Sequence, residues 1–224
     1  MNSGISTALD DGSTVFYYNK ESGFEGRVRL TALPENVGSE YVVPAEVNDL
    51  GGVLTGVTLD KLTINSDIEY AFKSIEGAHI GEVVIEDGAK TIPSRMFYKT
   101  YVDSVVIPDS VTYLEESAFQ QAYIDELVIP ASVETFGVHA FAGATFKKIT
   151  FEGKNLVFDN RPMRECVNLR EVIFNCDDIT FMNSTTNGDC WISNKGSNGN
   201  NYSNITFYVK NETVAQKVRA AIIH

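Results

Sequence analysis

A repeat of 22 residues constrains the fold of this chain more than any other feature. The segment VVIPDSVTYL, which begins at Val105, returns as LVIPASVETF at Leu127. Each copy continues into the same Ala-Phe pair, at positions 118–119 and 140–141. A fixed period of this length is typical of a solenoid, in which each coil buries its apolar side against its neighbours only.

The strongest column of the repeat is the last apolar position of a Leu-x-x-Leu-x-Leu pattern. Its members follow one another at steps of 21 to 23 residues: Ile64, Ile85, Ile107, Ile129, Phe151 and Phe174. Apolar and polar residues alternate within each triplet, which indicates a short strand with one buried face. Stacking the coils on one another therefore predicts a parallel sheet of short strands.

Three further columns run beside these strands. Large side chains follow the strand at Ile92, Leu114, Phe136, Phe158 and Phe181, and again at Phe97, Phe119, Phe141 and Met163. Small side chains follow at Thr100, Ala122, Ala144 and Cys166. Fixed offsets of large and small residues predict a layered interior. We interpret the aromatic column as core, because aromatic side chains bury a large area each.

The pattern Val-x-Ile-Pro-x-x-Val-x-x-Leu-x-x-x-Ala-Phe resembles the repeat of the BspA-type leucine-rich-repeat family of bacterial surface proteins. The resemblance covers most of Tyr41 to Phe174 and is strongest over 105–148. We therefore predict an α/β or mainly β solenoid, a right-handed leucine-rich-repeat superhelix of short parallel strands. The resemblance implies a secreted or surface-anchored binding protein without catalytic residues of its own.

Four segments are predicted along the chain. Residues 1–13 are small and polar and are expected to form a disordered tail, and residues 14–40 are expected to form a β-hairpin that caps the first coil. In this hairpin Val28, Leu30 and Ala32 are expected to face inward, with Arg27 and Arg29 in water. The solenoid spans 41–210, with a polar loop excursion at 183–203, and 211–224 is predicted to be a capping helix.

The charge balance excludes one class of partner. Lys and Arg number 18 against 30 Asp and Glu, which gives a net charge of −12 and a sequence pI near 4.7. A nucleic-acid-binding protein normally carries a basic stripe that neutralises phosphates, so nucleic acid is not expected. No apolar run reaches the length of a membrane span, and residues 1–5 lack signal-peptide features. We expect a monomer, secreted or at the cell surface.

Cysteine and histidine give no sign of a metal or cofactor site. The three cysteines, Cys166, Cys176 and Cys190, have wide and irregular spacing, which fits neither a disulfide framework nor zinc ligation. A bridge between Cys176 and Cys190 stays open as an alternative. We predict no metal ion and no cofactor.

The outward positions of the strands define the candidate binding face. These positions carry β-branched residues in one row and charged residues in the rows beside it, and the outermost row changes sign from acidic to basic along the solenoid. A partner of matched polarity could dock there in a fixed register, although exposed charges also simply keep a sheet soluble. The predicted binding residues are Val84, Glu82, Asp103, Ser104, Val106, Asp125, Glu126, Val128, Lys147, Lys148, Thr150, Arg170, Ile173 and Trp191.

Three functions follow in order of preference. The first is non-enzymatic recognition or adhesion, with a protein partner bound on the strand face. The second is glycan binding or carbohydrate processing through that face and the loop that carries Trp191, and the third is a structural spacer in a longer surface protein. Asp103 and Asp125 would stack as paired carboxylates, a pattern used in glycoside hydrolysis. They lie on flat sheet without insertions that would exclude water, so catalysis is not expected.

Overall fold

The computed structural model describes residues 4–18, 24–65, 68–166, 168–182 and 205–222. Eight parallel strands stack along one side of the chain. They are β4 (Glu40–Val42), β5 (Thr58–Ile64), β6 (His79–Ile85), β8 (Tyr101–Val106), β10 (Glu126–Ile129), β12 (Lys148–Phe151), β14 (Glu171–Phe174) and β16 (Thr206–Val209). Partners in neighbouring coils are 21 to 23 residues apart up to β14, as in the pair Leu127 and Ile149, so the predicted solenoid is confirmed.

These strands form two sheets rather than the single sheet expected from the sequence. Their orders are β4-β5-β6-β8 and β10-β12-β14-β16. Between β8 and β10 the described residues form one isolated bridge, which joins Tyr101 to Tyr123. Val105 lies beside this break and is half-buried, whereas its counterparts in β4, β5, β6, β10, β12 and β14 are buried. Stacking at the period of 22 residues therefore continues across a point where regular strand pairing lapses.

A five-stranded parallel sheet covers the other side of the coils. Its strands are β7 (Thr91–Ile92), β9 (Tyr113–Leu114), β11 (Thr135–Phe136), β13 (Asn155–Phe158) and β15 (Asp178–Phe181), in that spatial order. Buried side chains from both sides form one core. Within it Phe119 stacks on Phe97 at 4.6 Å between ring centroids, and Phe136 stacks on Phe158 at 4.4 Å. The aromatic columns are core, as predicted.

The column of small residues is also buried, and its polar members find hydrogen-bond partners. The Thr100 hydroxyl donates to the carbonyl of Ile75 at 2.9 Å, and the Cys166 thiol donates to the carbonyl of Phe141 at 3.1 Å. Each acceptor lies 25 residues before its donor, so the two bonds are equivalent in the repeat. A buried hydroxyl or thiol is thus satisfied at the same place in two coils.

Each coil turns between its two sheets through a residue with a left-handed backbone. The φ angles lie between 52° and 60° in one column that spans five coils, Lys73, Arg95, Ser117, His139 and Arg161. A positive φ is uncommon in residues other than glycine. Its return at this period shows that the turn itself belongs to the repeat.

The N-terminal cap has three antiparallel strands, β1 (Gly4–Ala8), β2 (Thr14–Tyr18) and β3 (Val28–Ala32). The expectation of a disordered tail is wrong for Gly4–Ala8, because the five residues pair along β2. The orientation predicted for β3 is wrong in part. Leu30 is buried as expected, but Ala32 is exposed. Arg27 is mostly buried and Arg29 is 37% exposed, because both bind the buried carboxylate of Asp49 instead of extending freely into water.

The C-terminal cap is the helix α1 (Glu212–Ile222), which packs on β15 and β16. The side chain of Asn211 caps its first turn, where its Oδ1 accepts a hydrogen bond from the amide of Val214 at 2.9 Å. Val214, Val218 and Ala221 share the buried face. The predicted loop excursion at 183–203 lies outside the described residues.

Candidate functional site

The outward side chains of the two four-stranded sheets form the surface that we call the strand face. Its central row follows the strand register. In the first sheet it contains Val42, Thr63, Val84 and Val106, and in the second Val128, Thr150, Ile173 and Tyr208. Neighbouring strands lie about 4.8 Å apart. The row is therefore a continuous strip of mostly β-branched side chains along each sheet.

Most of the predicted binding residues reach solvent on this face. Those that are exposed are Asp103, Ser104, Val106, Asp125, Glu126, Val128, Lys147 and Arg170, and those that are half-buried are Glu82, Val84, Lys148 and Ile173. Thr150 is a correction, since it is 8% exposed. Its short side chain lies between the larger side chains of Val128 and Ile173 on the adjacent strands. Trp191 lies outside the described residues.

The apolar members of the central row are unusually open. Val42 is 59% exposed, Val106 45%, Val128 56% and Tyr208 50%. Single exposed apolar residues are ordinary on protein surfaces. Here they share one row with the half-buried Val84 and Ile173, although Thr63 and Thr150 interrupt it. Exposed apolar surface of this kind commonly marks an interaction site.

The charged rows neutralise themselves across neighbouring coils. Lys147 binds Asp125 at 2.5 Å, with both side chains 67% exposed. The next row continues in the same way, with Lys148 Nζ 3.7 Å from Glu126. Acidic and basic residues of successive coils thus form exposed ion pairs, and each pair contributes little to stability in water. The charges of the strand face are less available to a partner than the sequence suggested.

Three aromatic residues beside the strand face were missed by the sequence analysis. His79, Tyr101 and Tyr123 stack in successive coils, with ring centroids 4.4 Å and 4.2 Å apart. We call this group the aromatic ladder, and all three side chains are exposed. Burial and the adjacent Tyr101 raise the pKa of the Tyr123 hydroxyl. The signal was present in the sequence as aromatic rings at two steps of 22 residues immediately before a strand anchor.

The two thiols within the described residues do not form a reactive site. Cys166 and Cys176 are free and buried, and burial raises the pKa of Cys166 to about 12 and that of Cys176 to about 11. A thiol is nucleophilic as its thiolate, so both are unreactive near neutral pH. Cys190, the partner of the possible bridge, lies outside the described residues. Within the described residues, His, Cys, Asp and Glu form no group of three that could hold a metal ion.

The described part of the chain also contains no helix of the length and apolarity that a bilayer crossing requires.

Coils of short parallel strands, layered apolar columns and a cap at each end define a leucine-rich-repeat solenoid. A family model for the BspA type leucine rich repeat region matches residues 56–194 in six copies. The chain belongs to this family. A search of curated proteins found no match.

Two solved structures share the fold. A T. pallidum leucine-rich repeat protein is 18% identical with a TM-score of 0.53, and the match covers 80% of this chain and 82% of that chain. The pneumococcal vaccine antigen PcpA is 17% identical with a TM-score of 0.51, and the match covers 98% of this chain and 45% of that chain. At such identities the likeness concerns the fold alone.

Proposed function

We propose that this chain is a non-enzymatic recognition module that binds a protein partner through its strand face, outside the cell or at its surface. The observation that carries the proposal is the exposed apolar row formed by Val42, Val106, Val128 and Tyr208. Membership of a leucine-rich-repeat family supports a role in protein interaction. The location outside the cell or at its surface is supported by membership of the BspA-type family, since the repeat resembles that of bacterial surface proteins.

The chemistry of the face favours binding over catalysis. Asp125 is ion-paired with Lys147, and both Asp103 and Asp125 are open to solvent. A pair of carboxylates that acts as acid and base needs a site in which the environment separates the two pKa values. Two solvated carboxylates on either side of the break between the two sheets, one of them already paired, have no such environment.

The energetic centre of the proposed interface lies at Val106 and Val128. They flank the break between the two sheets, and the aromatic ladder ends close by at Tyr123. Interface energy usually concentrates in a few apolar and aromatic side chains surrounded by polar ones. The paired charges around these valines would form such a polar rim.

The test is a double variant, Val106→Glu with Val128→Glu, compared with Thr135→Glu as control. All three positions are exposed strand residues, so the core is not disturbed. Thr135 lies in β11, on the five-stranded sheet at the other side of the coils. The immobilised wild-type chain is incubated with solubilised surface and extracellular proteins. We expect a protein that the wild type and the Thr135→Glu variant retain, and that the double variant loses. Retention by all three chains, or by none, would contradict the proposal.

A further inference from the structure

The five-stranded sheet ends at β7, and its hydrogen bonds show the reason. In the later coils one column of residues donates its amide to a carbonyl of the preceding coil. The donors are Glu115, Gly137, Asp159 and Met182, at 2.8 to 3.0 Å. The corresponding residue of the coil with β7 is Pro93, which has no amide hydrogen. The carbonyl that it would have met, that of Ala71, accepts a hydrogen bond from the amide of Ser74 at 3.1 Å within its own coil.

A second substitution in the repeat widens this interruption. The column that contains Leu50, Ile92 and Leu114 has Ala71 in the intervening coil. Ala71 is buried, but its side chain is several carbons shorter than its neighbours in the column. Pro93 and Ala71 both line an open space that separates the surfaces of the two coils at this point.

The separation is a cleft made of two adjoining cavities. One has a volume of about 720 Å³ and the other about 520 Å³, and both are lined by Glu69 and Glu115. Volumes of about 300–1,000 Å³ are usual for ligand sites. On one side is a ladder of parallel bridges formed by Arg29, Asp49 and Tyr70, and on the other is the edge strand β7.

One end of the cleft is positively charged. Asp49, whose side chain is 4% exposed, accepts a hydrogen bond from the Nε of both Arg27 and Arg29 at 2.6 Å. A single carboxylate thus holds two guanidinium groups by their Nε atoms, which leaves one net positive charge and directs the outer nitrogens away from Asp49. The guanidinium group of Arg27 also lies 4.3 Å from the ring centroid of Tyr70. The arrangement is a rigid fork of the kind that recognises carboxylates.

The other end of the cleft is negatively charged. Glu46, Glu69 and Glu115 line the smaller cavity, together with the single cation Lys90. The Glu115 carboxylate is fixed there, because it accepts hydrogen bonds from the Thr91 hydroxyl at 3.2 Å and the Ser94 amide at 3.0 Å. The negative charge begins where the two cavities adjoin, since Glu69 and Glu115 line both, and it extends to Glu46 in the cavity away from Arg27 and Arg29.

We propose that this cleft binds an extended peptide segment of a partner protein, with an acidic side chain at the Arg27–Arg29 end and a basic side chain at the Glu69–Glu115 end. An extended peptide spans about 3.3 Å per residue, so a few residues suffice to bring one side chain to each charged part of the cleft. Phe72, which is 61% exposed at the rim, provides apolar contact. The site is separate from the strand face, so the two proposals stand or fall independently.

The experiment selects peptides from a random ten-residue library on the full chain. We expect enriched peptides to carry Asp or Glu a few positions away from Lys or Arg. Binding of a synthetic copy is then measured by fluorescence polarisation with Glu69→Lys, a reversal at an exposed position, and Arg29→Gln, which retains a donor for Asp49. Each change is expected to weaken binding by ~10-fold, equivalent to ~1.4 kcal/mol. A library reselected on Glu69→Lys should exchange the basic residue for an acidic one.

Two controls make the outcome decisive. Val128→Glu on the strand face should leave the dissociation constant of the peptide unchanged, and thermal unfolding should show that both cleft variants are folded. If Arg29→Gln unfolds the cap, Glu69→Lys alone decides. Failure to enrich any peptide, or enriched peptides that bind the Glu69→Lys variant as well as wild type, would overturn the proposal. Glycan-array binding that Glu69→Lys abolishes, with no peptide selected, would assign the cleft to a glycan.

Discussion

The coils from β9 to β15 and the coils on either side of β7 are built from the same repeat but differ in continuity. In the first region every coil donates amides to its predecessor, and phenylalanine rings such as Phe136 and Phe158 stack in the core. In the second region Pro93 removes a donor and Ala71 removes volume, and a charged cleft occupies the gap. Regularity of the repeat stabilises the solenoid, and local departures from it create places to bind.

The largest expected effect is at the centre of the continuous region. Phe136 is fully buried and its ring contacts those of Phe151 and Phe158. Phe136→Ala should lower the free energy of unfolding by about 3–5 kcal/mol, the usual cost of a phenylalanine cavity. Ile68→Ala beside the cleft should cost about 2 kcal/mol, because its surroundings are already open. Urea denaturation followed by circular dichroism measures both, and equal costs would remove the contrast between the regions.

The next effect tests the electrostatic part of the cleft. Asp49→Asn keeps the shape of the side chain and an acceptor for the Gly51 amide, but it leaves Arg27 and Arg29 without their shared carboxylate. Loss of one partner of a buried pair is costly, and the partial exposure of Arg29 reduces the cost to about 2 kcal/mol. Urea denaturation should show this loss. Asp109→Asn, at an exposed position in a continuous coil, is the control and should be neutral.

Introducing a proline into the continuous region, or removing Pro93 from the interrupted region, should change the unfolding free energy by a smaller amount. Asp159 donates its amide to the carbonyl of Phe136 at 3.0 Å, in the column that contains Pro93. Asp159→Pro should cost about 1–3 kcal/mol, since a buried carbonyl loses its partner, and Asp159→Ala separates this loss from that of the carboxylate. Pro93→Ala should change the unfolding free energy by less than about 1 kcal/mol, because the Ala71 carbonyl already accepts a hydrogen bond from the Ser74 amide. A clear gain from Pro93→Ala would show that proline alone holds the cleft open.

The sequence was sufficient for the architecture because the core is periodic. Columns such as the one through Ile129 and Phe151 place side chains over one another whatever the outer surface carries, so their spacing predicted the coils and the core. The family was predicted from the resemblance of the repeat motif. The break between β8 and β10 was not predicted, because Val105 obeys the same pattern as its counterparts. The strand at Gly4–Ala8 was missed as well, since its small polar residues do not show the alternation of a half-buried strand.

The candidate sites were harder to predict, because they depend on how surface side chains meet. The alternation of inward and outward positions along each strand was enough to predict the residues of the strand face. Their ion pairs, such as Lys147 with Asp125, could be seen only in the structure. The cleft had two sequence signals, Pro93 and Ala71, but each is unremarkable by itself. Only the hydrogen-bond pattern shows that they meet at one junction between coils.

The smallest expected effect concerns His139, at a left-handed position in the continuous region. Burial, with Arg161, Arg164 and Arg95 nearby, lowers the pKa of His139 below its ordinary value of 6.5. As the pH falls through 6.5 the unfolded chain takes up this proton first, so stability should fall until the pH is below the lowered pKa. His139→Asn, which tolerates the φ of 58°, should flatten this slope of unfolding free energy between pH 7.5 and 5.5. His79→Asn, at an exposed site, is the control. An unchanged slope in His139→Asn would show that groups other than His139 take up the protons.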